Sequence, residues 1–235
     1  MFALRPANQR GHTKIDWLDS WHTFSFGQYY DPRFMGFGSL RVINDDTVAP
    51  GQEFGTHPHD NMEIISIVLS GELEHKDSMG NGTKIKPGEI QKMTAGSGIT
   101  HSEFNPSKTK PVHFLQIWIM PNVQDLKPSY EQKAYDPKIL TNQLKLIVSP
   151  DGRDESIIIS QDAEIYQTLL EQDRTTSFDI TDKRMCWIQV AEGSVMVNGQ
   201  PLVAGDGLAI VDENTAVELR GIDKLSNILV FNLRR

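Results

Sequence analysis

The chain has a single cysteine, Cys186, among its 235 residues. One thiol forms no intramolecular disulfide and rules out a zinc site built on several cysteines, which fits a reducing compartment. Basic residues are also in short supply. Lys and Arg number 23 against 31 Asp and Glu, leaving a net charge of −8 and a pI near 5.3. Such a surface repels phosphate backbones and anionic headgroups, which argues against direct nucleic-acid or membrane partners. Long apolar runs are missing too. The opening stretch "MFALRPANQRGHTKIDW" holds no apolar segment of the length export requires, and nothing later approaches a span of about 20 apolar residues. The expected compartment is the cytoplasm. With no low-complexity tract or charge block, and with 38% apolar and 23% charged residues, the composition is that of a folded chain.

Convincing helices are scarce as well. Short apolar or alternating runs punctuated by Gly, Pro, Asn and Asp dominate, and this is an all-β texture. "EIISIVLSGELEHKDSMGNGTKIKPGEIQKM" shows a β-branched run, a Ser-Gly turn, an alternating strand, an Asn-Gly turn at Asn81-Gly82, then Pro87-Gly88. "PVHFLQIWIM", from Pro111, is a further strand. "DAEIYQTLL", from Asp162, fits helical and alternating spacing alike, and we read it as a strand.

A faint repeat follows. The stretch Met185–Val211 repeats the order of Glu63–Met93 if Gly193 matches Gly71 and Gly205 matches Gly88. Two similar β units are expected, closed as jelly-roll barrels because open sheets leave adhesive edges. The join falls in Met120–Asn142, which has three prolines and no sustained periodicity. We place the division at 1–125 and 126–235.

Against this background "GTHPHDNMEI" sets His57 and His59 one residue apart, with Glu63 four positions on. Later in the same unit "AGSGITHSEFN" supplies His101 and Glu103, again one residue apart. Residues i and i+2 of a strand share a face, so two such strands deliver three imidazoles and one carboxylate to one point. That donor set suits one divalent transition ion with one or two open positions; Fe(II) leads, with Ni, Mn, Cu, Co and Zn also admitted. The absence of thiolate argues against a sulfur-bound structural zinc site. Glu63 shares parity with His57 and His59, and we expect it to accept a hydrogen bond that orients a histidine. Of the other histidines, His12 is expected to be solvated, His22 a hydrogen-bonded scaffold residue, and His75 part of a strand beside a turn. None follows His113, so the second unit cannot repeat the site.

Gly51, His57, His59, Glu63 and Gly71 resemble the first motif of the cupins, and Gly88, Gly98, His101 and Asn105 resemble the second. Gly96 stands where that motif prefers proline, and the Gly88–His101 segment is longer than usual. Together with "WLDSWHTFSFGQYYDPRFMGFGSLRVINDD", "KDSMGN" and "HSEFN", the chain resembles the pirin family of bicupins, and within it the bacterial pirin-like quercetin 2,3-dioxygenases. The likeness covers essentially the whole chain and is strongest through Pro121. It implies two tandem cupin domains, the C-terminal one lacking a metal site, with His57, His59, His101 and Glu103 as metal ligands.

The implied activity is ring opening of a flavonol such as quercetin by O2, with release of CO. Glu103 or Glu63 would take the 3-hydroxyl proton, and Glu103 is the better placed. A flat polyphenol needs an apolar slot, for which Phe54, Met62, Phe114 and Trp118 are candidate walls and His113 a candidate lining residue. The alternative is a metal-containing, redox-sensing regulator that binds a transcription factor or a metabolic enzyme. A third reading is another metal-dependent activity on an unrelated small molecule, since cupin barrels host many chemistries. With no evident apolar patch pattern, a monomer is expected.

Overall fold

The computed structural model describes residues 2–181, 183–211 and 214–235. Its elements are almost all strands. In chain order they are β1 (Phe2–Arg5), β2 (Gly11–Ile15), β3 (Leu18–His22), β4 (Leu40–Val48), β5 (Glu53–His59), β6 (Glu63–Ser70), β7 (Leu73–Asp77), β8 (Gly82–Ile85), β9 (Glu89–Thr94), β10 (Ile99–Phe104), β11 (Val112–Ile119) and β12 (Ser129–Ala134). There follow β13 (Lys145–Ser149), β14 (Ile157–Ile158), β15 (Ala163–Glu171), β16 (Thr175–Ile180), β17 (Arg184–Glu192), β18 (Ser194–Val197), β19 (Gln200–Val203), β20 (Gly207–Ile210), β21 (Thr215–Gly221) and β22 (Leu225–Arg234). The ambiguous stretch from Asp162 is therefore a strand, β15. A one-turn helix, Pro137–Leu140, is capped by Asp136, whose side chain accepts from the Lys138 amide.

The chain divides into two compact units. One comprises Gly11–Gly36 and Leu40–Tyr135; the other comprises Met1–Arg10, Phe37–Ser39 and Asp136–Arg235. Besides counting Phe37–Ser39 with the second unit, this division differs from a cut at 125/126 in two respects. β12 pairs with β9 and so stays with the first unit, whereas β1 pairs with β20 and joins the second. Each unit pairs a seven-stranded sheet with a four-stranded one. The first has the orders β12-β9-β6-β11-β4-β3-β2 and β5-β10-β7-β8; the second has β1-β20-β17-β22-β15-β13-β14 and β16-β21-β18-β19. Strand for strand these orders correspond, with β1 occupying in the second unit the edge that β12 occupies in the first.

The glycine pairs explain how the repeat is enforced. Gly71 and Gly193 each end a strand at positive φ, 82° and 76°, and both press against the neighbouring strand. A Cβ on Gly71 would lie 2.7 Å from the Pro111 carbonyl oxygen and 2.9 Å from the Val112 Cα; on Gly193 it would lie 2.7 Å from the Leu225 carbonyl oxygen. Only glycine combines that dihedral with that approach. The Asn-Gly signal is shifted: Gly82 opens β8, and the turn before it is held by Asp77, which accepts from the Met79 and Asn81 amides.

The interiors of the two units differ. In the second, alternate positions of β17, β20, β21 and β22 supply a continuous apolar core that includes Ile188, Leu208, Val217 and Val230. In the first, a transverse row of polar residues crosses the large sheet in register: His22 opposite Asn44, Asn44 opposite Gln116, Gln116 opposite Ser66, and Ser66 opposite Gln91. All five are buried. Apolar rows flank it, one around Phe114 and Val68 and one around Ile64 and Met93.

Gly71→Ala is expected to destabilise the first unit by about 2 kcal/mol or more, from positive φ combined with a backbone clash. Gly82→Ala, with nothing within 4 Å of the added methyl, should change stability by less than about 1 kcal/mol. Urea unfolding of the two variants against the parent checks the difference.

Candidate metal centre

β5 and β10 pair antiparallel with His101 directly opposite His57 and Ile99 opposite His59. Facing residues of such a pair have neighbouring Cβ atoms on one face, and alternation puts His59 on that face too. The ligand atoms of His57, His59 and His101 accordingly lie within 4.8 Å of one another. The register shifts between His101 and Glu103, which sets Glu103 opposite Phe54. This bulge re-aims the strand beside the histidines. Glu103 is buried and lines the same cavity, yet it is not one of the three residues within that 4.8 Å grouping. Its carboxylate accepts from the Gln116 amide at 2.5 Å and from the Ser66 hydroxyl at 3.2 Å. Two members of the polar row therefore hold it.

Hydrogen bonds assign the tautomers. His57 Nδ1 lies 2.7 Å from the Gly55 carbonyl oxygen. A carbonyl only accepts, so Nδ1 carries the proton and Nε2 presents its lone pair. The Gln91 amide nitrogen donates to His75 Nδ1 at 3.4 Å, which makes that nitrogen an acceptor. His101 Nδ1, also 3.4 Å from it, is then a second donor, and His75 Nε2 donates to Asp77 at 3.3 Å. This relay leaves the His101 Nε2 lone pair free. The Nε2 atoms of His59 and His101 are both buried with no hydrogen-bond partner. Orphaned buried nitrogens are rare and call for a ligand; grouped with a third imidazole, they fit a divalent ion.

Electrostatics agrees. Burial pushes His59 down to about 4, helped by His57. Burial together with its imidazole neighbours pushes His101 down to about 2. Both rings are therefore neutral, as ligands must be, at any physiological pH. Burial raises the Glu103 carboxyl against the hydrogen bonds that favour its ionised form.

Next to the histidines lies a cavity of about 610 Å³, large enough for a tricyclic small molecule. Ile15, Trp17, Leu18, Phe26, Phe54 and Trp118 give it apolar walls. Trp118 meets the His59 ring edge-on at 4.9 Å, and its indole N–H donates to Gln116 at 3.2 Å.

Of the expected pocket residues, Phe54 and Trp118 line the cavity, and Met62, His113 and Phe114 do not. Phe114 is fully buried in the core beneath Phe54. Met62 packs against Ile64, Met93, Ala95 and Ile99. His113 alternates to the other face of β11 and pairs with Asp45 at 2.6 Å. Glu63 also departs from expectation. The Asp60–Met62 turn separates β5 from β6 and breaks the parity, so Glu63 shares its face with Ile65 and Ile67 while Ser66 faces Glu103; its carboxylate accepts from Thr94. His12 stacks on Trp21 and pairs with Asp19. His22 bonds to Asn44 at 2.8 Å, as a scaffold residue would.

The sequence reading missed three features: His75 behind His101, the polar row, and the wall from Thr13 to Gln28. The row had a signal in Ser66 and Gln116, each a polar residue at the buried parity of an apolar strand.

In metal-free protein, His59 and His101 stay neutral below the ordinary histidine value of 6.5, while the unfolded chain takes up protons there. Stability should therefore fall as pH drops from about 6.5 toward 4, by up to about 1.4 kcal/mol per pH unit for each ring. Urea unfolding of chelator-treated protein across that window, compared with His101→Gln, should show a shallower slope in the variant.

Comparison with known proteins follows the same lines. The Pirin family model matches residues 3–119, and the model described as the quercetinase C-terminal cupin domain matches residues 146–233. Quercetin 2,3-dioxygenase of Escherichia coli (strain K12) is 50% identical over 233 residues, covering 99% of each chain. A putative quercetin 2,3-dioxygenase of Pasteurella multocida is 42% identical, covering 99% of this chain and all of that one. The crystal structure of the bacterial pirin YhhW from Escherichia coli in complex with nickel(II) superposes with a TM-score of 0.94 at 49% identity, covering 100% of this chain and 99% of that one. Barrel topology, histidine cluster and full-length similarity converge: this chain is a bicupin and belongs to the pirin family.

Proposed function

We propose that this chain is a metal-dependent quercetin 2,3-dioxygenase, which opens a flavonol ring with O2 and releases CO. The carrying observation is the placement of three imidazoles, two with orphaned buried nitrogens, against a tricycle-sized cavity with aromatic walls. The half-identical relative named for this activity supports the same reading.

His57, His59 and His101 hold one divalent transition ion, and Glu103, on the same wall, completes the set. Fe(II) and Ni(II) both suit these donors. A bound ion would supply Lewis acidity that lowers the pKa of the flavonol 3-hydroxyl. Everything else falls to the protein. Glu103 takes the hydroxyl proton on its carboxylate: its burial raises proton affinity, and Gln116 and Ser66 fix its orientation. Glu63, on the opposite face of β6, is not placed to share that task. The His75–Asp77 relay fixes the His101 ring. Trp17, Phe54 and Trp118 pack the flat substrate and exclude bulk water, which would return a proton to the electron-rich enolate.

Elemental analysis paired with oxygen uptake on quercetin tests the proposal. The parent protein is expected to hold near-stoichiometric metal and consume oxygen, and His57→Ala/His101→Ala to lose both. Stoichiometric metal without uptake, whichever divalent ion is supplied, would sink the dioxygenase reading and favour a regulator. Gln116→Leu, which strips a donor from Glu103, should weaken metal binding about 10- to 100-fold by chelator competition.

A further inference from the structure

The large-sheet wall of the cavity, facing the histidine strands, holds a group that the proposed chemistry leaves idle. Asp46 on β4 lies opposite Ser20 on β3 and opposite Phe114 on β11. It is 2% exposed and lines the cavity. One carboxylate oxygen, Oδ1, accepts a hydrogen bond from the Ser20 hydroxyl. Among the described residues, no side chain or amide donates to the other, Oδ2. No basic side chain hydrogen-bonds or ion-pairs with it either. Desolvation pushes its pKa up to about 7, and the nearby Glu103 adds to the rise.

Such a group is unfavourable on structural grounds alone. A buried carboxyl with an open oxygen forfeits its hydration without full repayment in hydrogen bonds. Its polar neighbours do not share the problem, because Thr13, His22 and Asn44 satisfy one another. Position supplies the reason for retaining it. β4 lies beside β11, with Asn44 opposite Gln116, so Asp46 stands one strand over and two residues along from Gln116, which touches Glu103, a separation of roughly 8 Å at ordinary strand spacing and rise. A tricyclic flavonol anchored by its 3-hydroxyl near Glu103 would reach across that distance with a hydroxylated ring.

We infer that Asp46, held by Ser20, is a specificity residue that accepts a hydrogen bond from a phenolic hydroxyl remote from the metal. The protein thereby selects flavonols with hydroxylated outer rings over those without. This rests on the flavonol reading above. A site built around a buried acceptor rejects the analogue lacking the donor, because the acceptor is then left unpaired. Carboxyl-to-phenol hydrogen bonds are also among the stronger ones.

The test uses metal-loaded protein without oxygen and reads quenching of the cavity tryptophans, Trp17 and Trp118, during titration with quercetin or 3-hydroxyflavone. The parent is expected to bind quercetin about tenfold or more tightly than 3-hydroxyflavone. Asp46→Ala should bring that ratio to within about threefold, by weakening quercetin and leaving 3-hydroxyflavone nearly unchanged. Should that variant not fold by circular dichroism, the isosteric Asp46→Asn should shift the ratio in the same direction. A purely structural Asp46 would weaken both ligands alike, so an unchanged ratio in a folded variant overturns the inference and leaves the flavonol reading intact. So does a parent that binds the two equally. Binding of neither flavonol by the parent overturns both.

Discussion

The antiparallel register of β5 with β10 sets His101 opposite His57 and carries His59 onto the same face. Side chains alternate with period two, so a slip of one residue would send the imidazoles to opposite faces and disperse the donor set. Register is held on both flanks. β10 also pairs with β7, with Glu103 opposite His75, and the barrel floor meets β10 through the hydrogen bonds of Ser66 and Gln116 to Glu103. The geometry of the centre is thus a consequence of sheet pairing, and its chemistry follows from burial, which keeps His59 and His101 neutral.

The two units show what the centre displaces. They share strand order, yet the row His22, Asn44, Gln116, Ser66 and Gln91 has as its counterpart in the second unit, by register, Leu146, Tyr166, Val230, Ile188 and Leu208. Where the first unit has His57 opposite His101, the second has Phe178 opposite Val217. Of the side chains at these places only Tyr166 is polar, and its hydroxyl donates to Glu164; the apolar ones pack in or against a continuous core and need no partners. Polar ones must each find a hydrogen bond, and they do so by forming a connected network around a cavity. One topology therefore yields a filled barrel and a hollow one, according to which residues stand at the inward positions.

Much of this was legible in the sequence because it is local. His57 with His59, and His101 with Glu103, are read from spacing alone, and the match of Gly71 to Gly193 exposed the repeat. The features that were missed depend on pairings that local spacing does not encode. His75 reaches His101 only because β7 lies beside β10. The wall from Thr13 to Gln28 exists only because β3 pairs with β4, across a long connection. β1 could not be assigned to the second unit from its own four residues, since its pairing with β20 spans nearly the whole chain. Glu63 was misplaced for a related reason: parity counting assumes one continuous strand, and the turn at Asn61, with φ of 43°, interrupts it.

Two buried carboxyl groups then line the first unit's cavity, and their surroundings separate their tasks. Glu103 has both oxygens engaged by neutral donors beside three imidazoles, an arrangement that tolerates the ionised form and suits a proton acceptor. Asp46 has one donor, a full desolvation penalty and the repulsion of Glu103, which together favour a proton shared with a ligand. Neither group improves the packing of the barrel, and the second unit shows that the fold closes well with largely apolar residues at the matching positions of the polar row. Unequal environments around paired acids are a recurrent mark of divided labour in active sites. On the proposed reading they divide the cavity into an end where the substrate's proton is taken and a wall where its identity is read.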